Sequence, residues 1–261
     1  MNPYELYNDN CLEVMKKLPE NYIDMVFCDL PYGTTQNFWD NIIPFDELWE
    51  QYNRVVKDNG AIVLTAQQPF TSKLIVSNLS CFRYEWIWEK NKSTGHLNAK
   101  KMPMKSHENV CVFYKNLPTY NPQKTTGHKP FGAVKPKDNI PEPEVKRNYN
   151  HVSKQFGNDG KTTDRYPRSV QKFPVINNDN KEKWHPTQKP VGMIEYFIKT
   201  YSNENDIILD NCMGSGSTGI ACFNSNRKFV GVEIDKEYYE MAKARIDDSL
   251  GLTKYMNKPL T

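Results

Sequence analysis

The sequence predicts an α/β fold with a doubly wound, mostly parallel sheet. Three observations predict it. Short apolar runs rich in β-formers alternate with stretches of helical period along most of the 261 residues, the pattern of strands covered by helices. A glycine-rich turn at 210–219 follows one such run and opens a helix, the context in which a glycine loop carries meaning. An aspartate, Asp29, directly follows another run, and parallel sheets place their sites at carboxyl strand ends.

In chain order, residues 11–18 (CLEVMKKL) have helical spacing and stop at Pro19. IDMVFC at 23–28 is a buried strand. Residues 45–57 place Leu48, Tyr52, Val55 and Val56 on one helical face, and Gly60 ends that helix. AIVLTA at 61–66 is a second buried strand, followed by a helix over about 71–79. FRYEWIWE (82–89) and NVCVFY (109–114) are further strands. From 115 to 184 Pro, Asn, Lys and Gly dominate and apolar periodicity disappears. That is long for a structureless loop and marks a functional or disordered segment. A helix over 190–201 opens on Pro190, and strand 207–209, helix 217–224, strand 229–234 and a helix over about 236–247 complete the pattern. The chain thus divides into residues 1–114, a basic irregular region 115–184, and residues 185–261. No internal repeat is visible, and length alone does not separate one large domain from a core with an insertion.

The net charge of +3 conceals an asymmetry. Residues 115–184 hold 14 Lys and Arg against 7 Asp and Glu, so this stretch carries roughly +7 and the remainder roughly −4. A polyanionic partner explains this, and so does a solvated loop. The first residues lack a basic stretch followed by an apolar one, so no signal peptide is expected. No run of about 18 apolar residues predicts a membrane span. Cys11, Cys28, Cys81, Cys111, Cys212 and Cys222 form no C-x-x-C pair and mostly lie in apolar runs. A reduced, cytoplasmic protein without structural zinc or any other metal is expected.

Three motifs carry chemistry. In DNCMGSGSTG (210–219), Gly214 and Gly216 permit a tight turn and close approach of a ligand to the backbone. Glu233 ends the next strand, placed to accept hydrogen bonds from two ribose hydroxyls. This alone fits a dinucleotide site or a structural strand–turn–helix equally well. A dinucleotide domain should continue into several βα units, however, and only one strand and one helix surround and follow Glu233. The second motif is Asp29-Leu30-Pro31-Tyr32-Gly33. An exocyclic amine conjugated with its ring is a poor nucleophile, because its lone pair is delocalised. Asp29 can accept one amino hydrogen and the Leu30 carbonyl the other, favouring a pyramidal nitrogen able to attack a methyl sulfonium. Pro31 fixes the turn, and Tyr32 offers a flat face for an extruded base. An ordinary strand-end turn has the same composition. In the third motif, HPTQKP (185–190), Thr187 and Lys189 suit a bound carboxylate, and His185 is assigned no catalytic role.

Together and in this order the motifs resemble the amino-methylating DNA methyltransferases of the permuted β group, the N6-adenine/N4-cytosine family. The resemblance spans nearly the whole chain outside the basic region. It implies a Rossmann-like methyltransferase sheet of seven strands, circularly permuted motif order, and 115–184 as an inserted target-recognition region. The implied cofactor is S-adenosylmethionine, its adenine contacted by Asp9. Capping of the helix at 11–18 is an equally good and compatible reading of Asp9. The resemblance also places Asp210 and Gly214 at the methionine end, Glu233 on the ribose, and Thr187 and Lys189 closing the pocket, with Gly216, Ser217 and Thr218 as further cofactor-binding residues. Two departures stand out. Leu30 replaces the usual first proline but keeps the backbone carbonyl, and Asn211 stands where proline is common. Asp at position 29 is typical of adenine-N6 enzymes, whereas cytosine-N4 enzymes more often carry Ser.

The expected partner is double-stranded DNA. Phe38 and Trp39, in a stretch resembling the loop after the tetrapeptide, could wall a base pocket, though core packing is the commoner fate of such residues. In the basic region aromatic residues interleave with Lys and Arg, which suits phosphate contacts. Arg147, Arg165 or Arg168 could form a bidentate guanine contact. The chain is either half of a system with a separate restriction endonuclease acting on the same site or a solitary modifier, and homodimers are common among similar proteins. Cytosine-N4 methylation, RNA or protein methylation, a catalytically inactive DNA-binding protein and a nicotinamide-dependent oxidoreductase are the competing readings.

Overall fold

The computed structural model describes residues 3–34, 40–130, 161–176 and 188–251. In chain order its elements are β1 (Tyr4–Asn8), α1 (Cys11–Lys17), β2 (Ile23–Cys28), α2 (Phe45–Val55), β3 (Val56–Ala66), α3 (Phe70–Ser77), β4 (Phe82–Thr94) and β5 (Lys105–Phe113). There follow β6 (Val170–Phe173), α4 (Val191–Tyr201), β7 (Ile207–Asp210), α5 (Ser217–Asn224), β8 (Lys228–Glu233) and α6 (Lys236–Ser249). Among the described residues the strands form one eight-stranded sheet in the order β1-β8-β7-β2-β3-β5-β4-β6. Only β5 runs against the others, pairing antiparallel with β3 on one side and β4 on the other. The α/β, mostly parallel fold class is borne out. The sheet has one strand more than the seven implied, the addition being the four-residue β6 beside β4.

Both faces of the sheet are covered. On β2, Val26 and Cys28 pack with α1, α2 and α3 residues such as Val14, Leu48 and Leu74. Met25 and Phe27 face α4, α5 and α6 through Phe197, Ala221 and Ile246. Burial on both faces is why central parallel strands read as unbroken apolar runs. The α4 helix is held tightly: Phe197 stacks on Phe27 at 6.1 Å and meets Trp86 edge-on at 5.8 Å. Tyr201 accepts the Trp86 indole N–H at 2.7 Å. Lys189 sits just ahead of this helix, so its backbone is anchored by the same packing.

The chain leaves β7 through α5 toward β8 and leaves β2 through α2 toward β3, in opposite directions. Because β7 and β2 are neighbours, a crevice opens between them at their carboxyl ends, the switch point where such sheets bind ligands.

The chain forms two compact units, one of Met1–Asn121 and Arg168–Thr261, the other of Pro122–Pro167. The sheet unit therefore takes in both flanks of the basic region. Within the smaller unit Thr125 and Arg165 form an isolated antiparallel bridge, and the Lys124 ammonium lies 4.7 Å from the Tyr166 ring centre. No described helix is long and apolar enough to cross a membrane. No described cluster of His, Cys, Asp and Glu could hold a metal ion, and all six cysteines are free thiols.

Candidate active site

The first half of the site is the turn after β2. Gly33, at φ +65°, reverses the chain, and the buried Asp40 carboxylate accepts the N–H groups of Gly33 and Thr34, each at 2.9 Å. The Leu30 side chain is buried in the core. Asp29 then emerges with its carboxylate gripped on both oxygens. Oδ1 accepts the Tyr32 hydroxyl at 2.6 Å and the Thr65 hydroxyl at 2.5 Å. Oδ2 accepts from Lys189 Nζ at 2.5 Å. The Tyr32 ring leans on Phe70, centroids 5.0 Å apart. Burial first, then the negative charge of Asp29, holds its hydroxyl well above the ordinary tyrosine range.

Lys189 is shared. Its ammonium also faces Glu108 Oε2 at 3.4 Å, and Glu108 Oε1 takes a 2.5 Å ion pair from Lys90. Lys90, Glu108, Lys189 and Asp29 thus alternate in sign along one wall. Three of these side chains are about one-tenth exposed and Asp29 is one-quarter exposed. Burial disfavours the Lys189 charge, but the carboxylates of Asp29 and Glu108 outweigh it and raise its pKa above the usual lysine value. A buried ion pair persists only when every charge finds a partner.

The second half is the loop after β7. Asp210 Oδ2 accepts the Thr218 hydroxyl at 2.6 Å and Oδ1 the Cys212 N–H at 3.1 Å. Burial nevertheless pushes its carboxyl up to about 6. Asn211, in place of a stiffening proline, accepts the buried Tyr52 hydroxyl at 2.6 Å and ties the loop to α2. Glu233 clamps both sides of the next turn, Oε2 taking the Gly214 N–H and Oε1 the Asp235 N–H, each at 2.9 Å. Burial raises its pKa as well. Ser217 and Thr218 open α5 and are both buried.

Both halves line one cavity of about 1040 Å³, whose wall includes Asp9, Asp29, Lys189, Asp210, Gly214 and Glu233. Pro31, Tyr32, Ser217 and Thr218 line it too. The two glycines differ. A side chain on Gly214 (φ +49°) would meet nothing within 4 Å, whereas one on Gly216 (φ +74°) would sit 3.1 Å from the Ala242 Cβ. Gly216 therefore allows α5 and its preceding turn to pack closely against α6.

Other assignments shift as well. The α1 cap is Asn10, whose side chain accepts the Leu12 N–H. Asp9 instead accepts the Asn10 N–H at 2.8 Å and pairs loosely with Lys17 at 3.4 Å; the first of these, then Lys17, lowers its pKa. Lys189 does bind carboxylates, but those of Asp29 and Glu108. The Arg165 guanidinium donates to the carbonyls of Asp164 (2.8 Å) and Lys129, holding its own loop. Arg168 is exposed just before β6, its carbonyl taking the Gln171 amide. Thr187, Phe38, Trp39 and Arg147 lie outside the described residues. Sequence reasoning missed Thr65, Glu108, Lys90 and Asp40. A glutamate opening the apolar run ENVCVF was the one available signal for Glu108.

The chain belongs to the DNA methylase family, whose model matches residues 23–244; it is a DNA methyltransferase. It is 32% identical over 253 residues to Type II methyltransferase M.HpaI of Haemophilus parainfluenzae, covering 91% of this chain and 72% of that one. It is 28% identical over 263 residues to DNA adenine methyltransferase YhdJ of Escherichia coli (strain K12), covering 93% and 82%. The structure is similar to that of the M1.HpyAVI-SAM complex, with a TM-score of 0.62 at 25% identity, covering 94% of this chain and 99% of that chain. The cytosine-N4-specific PvuII DNA methyltransferase gives a TM-score of 0.65 at 15% identity over 95% and 91%, a likeness of fold.

Proposed function

We propose that this enzyme transfers a methyl group from S-adenosylmethionine to the N6 amino group of an adenine extruded from duplex DNA into the cavity. One observation carries the reading. Asp29, with one acceptor position that no described residue takes, shares a single cavity with the Gly214 turn and the Glu233 carboxylate. A carboxylate offers about four acceptor positions, and Tyr32, Thr65 and Lys189 occupy three of them. The remaining position on Oδ2 suits one hydrogen of an amino group. YhdJ is named as a DNA adenine methyltransferase, which supports adenine over cytosine.

The lining fits the donor. A cavity of about 1040 Å³ is at the upper end of small-molecule sites, so it has room for a nucleoside and an extruded base together. Gly214 leaves its side of the turn open. Glu233 would hold the ribose hydroxyls, Asp9 the adenine ring, and Asp210, Ser217 and Thr218 would border the methionine end. When bound, S-adenosylmethionine would supply an electrophilic methyl group, its S–CH3 bond breaking to leave the neutral thioether S-adenosylhomocysteine. Asp29 accepts one amino hydrogen, draws the nitrogen toward a pyramidal form, and receives the proton released once the new N–C bond has formed. Lys189, Tyr32 and Thr65 fix the carboxylate so that no reorientation is needed during the reaction. The Type II designation of M.HpaI further supports a partner endonuclease acting on the same DNA site.

The test is transfer of label from S-adenosylmethionine to unmethylated genomic DNA, followed by nucleoside mass analysis. N6-methyladenine is the expected product. N4-methylcytosine would overturn the base assignment, and absence of label from every DNA base would overturn the whole reading.

A further inference from the structure

Residues 91–107 run from the end of β4 through the connecting segment 95–104 into the start of β5, and all seventeen are exposed. They hold Lys92, Lys100, Lys101 and Lys105, with His96 and His107, and no acidic residue. None of the four lysines pairs with a carboxylate of the described residues; Lys105 instead donates to Gln67 at 3.3 Å. This cationic stretch stands out because the chain outside 115–184 carries net negative charge. Its tip is also apolar: Leu97 is 87% exposed and Met102 55%.

The tip is ordered by its own backbone. Gly95 turns at φ +89° into a single 3-10 turn, His96–Asn98. Asn98 N–H bonds to Gly95 O at 3.0 Å, and the Lys101 and Met102 N–H groups bond to Asn98 O at 2.8 and 3.0 Å. Below it, the Ser93 and Ser106 hydroxyls meet at 2.8 Å. Trp88, Lys90, Lys92, Ser93 and Thr94 line the cavity, so the stretch that begins at Gly95 continues directly from the wall of the site.

We infer that this β4–β5 tip is a DNA-gripping element: Lys100 and Lys101 hold backbone phosphates beside the target base, and Leu97 presses into the stack that the extruded base vacates. The inference rests on the DNA methyltransferase reading. An unpaired lysine cluster is the electrostatic match of a phosphate track. Extrusion leaves a gap lined by apolar base faces, and an exposed leucine on a preorganised turn can fill it, as apolar wedges do between base steps. Leu97 belongs to neither core cluster of the described residues.

The test compares the full-length wild type with Lys100→Gln/Lys101→Gln, Lys100→Arg/Lys101→Arg and Leu97→Ser. Binding of a fluorescent 30-base-pair duplex would be followed across salt, and methylation of genomic DNA across DNA and S-adenosylmethionine concentrations. The glutamine pair should lower the slope of log affinity against log salt by about 2, near 0.9 per phosphate contact. It should raise KM for DNA about tenfold or more and leave KM for S-adenosylmethionine and the melting midpoint unchanged, while the arginine pair restores both DNA readouts. Leu97→Ser should lower kcat about tenfold with the salt slope unaltered. An active wild type whose slope and KM for DNA survive the glutamine pair overturns the inference, as does failure of the arginine pair to restore them. A wild type that labels no DNA base overturns the functional reading instead.

Discussion

Lys189 Nζ lies 2.5 Å from Asp29 Oδ2 and 3.4 Å from Glu108 Oε2, joining the turn after β2 to the segment ahead of α4. One cation therefore neutralises two carboxylates on the wall of the site. Lys189→Met leaves both without it, and breaking a buried pair in this way costs roughly 3–5 kcal/mol. The sign with pH is fixed by the raised pKa of Lys189. Its contribution is complete below the ordinary lysine value of 10.5 and is lost as pH rises through the higher folded value. Urea unfolding of both proteins from pH 7 to 11 should show a constant gap up to about pH 10 that narrows above it. A gap that closes between pH 7 and 9 would contradict this placement.

Asp29→Ala should lower the methyl-transfer rate by about a thousandfold or more, within the range of lost proton-transfer assistance. Binding of S-adenosylmethionine should stay within a few fold, because Asp29 addresses the base. Single-turnover rates beside calorimetric titration separate the two effects, and turnover near that of the wild type would refute the assigned role.

Asp210 is costly to keep ionised. Its carboxyl holds a proton up to about pH 6 when folded but only to about 3.8 when unfolded. The stabilisation is thus fully present below 3.8 and is lost as pH rises through 6, a difference of up to about 3 kcal/mol. Asp210→Asn should therefore melt at or above the wild-type temperature at pH 7.5, with the advantage shrinking toward pH 4. KM for S-adenosylmethionine should rise about tenfold or more in the same variant. A uniform loss of stability at every pH would show that the Thr218 and Cys212 hydrogen bonds dominate instead.

The two glycines of the loop should fail differently. Gly216→Ala combines a left-handed backbone with a Cβ only 3.1 Å from that of Ala242, so about 1–3 kcal/mol of stability should go. Gly214→Ala has free space on the cavity side and should cost only about 1 kcal/mol while raising KM for S-adenosylmethionine. Melting curves and steady-state kinetics on the pair give the comparison, and equal melting losses would refute it.

What the sequence conceals follows from where each element lies in the sheet. IDMVFC and AIVLTA are legible because their strands are covered on both faces. The two strands that escaped, β1 and β6, are the two edges, and their half-exposed YELYN and VQKF carry no apolar run. The sequence marks β4 only as far as Glu89, since its continuation KNKST is polar and exposed. Asp29, Gly214 and Glu233 were legible because each belongs to a local strand–turn pattern. Glu108, Lys90 and Thr65 were not, since only the pairing of β4, β5 and β3 brings them beside Asp29. The larger positive charge of 115–184 masks the shorter cationic run at 91–107.

The order of synthesis gives the strand order a further meaning. Among the described strands Tyr4–Asn8 is made before the others, and its neighbour in the sheet is Lys228–Glu233, made after the others. Likewise one long side of Ile23–Cys28 waits for Ile207–Asp210. The nascent chain must therefore carry two unsatisfied strand edges until β7 and β8 have been made, and closure of such distant pairs is slow. Shielding by chaperones would matter most in that interval, and mutations that weaken β7 or β8 should show first as poor soluble yield rather than as poor turnover.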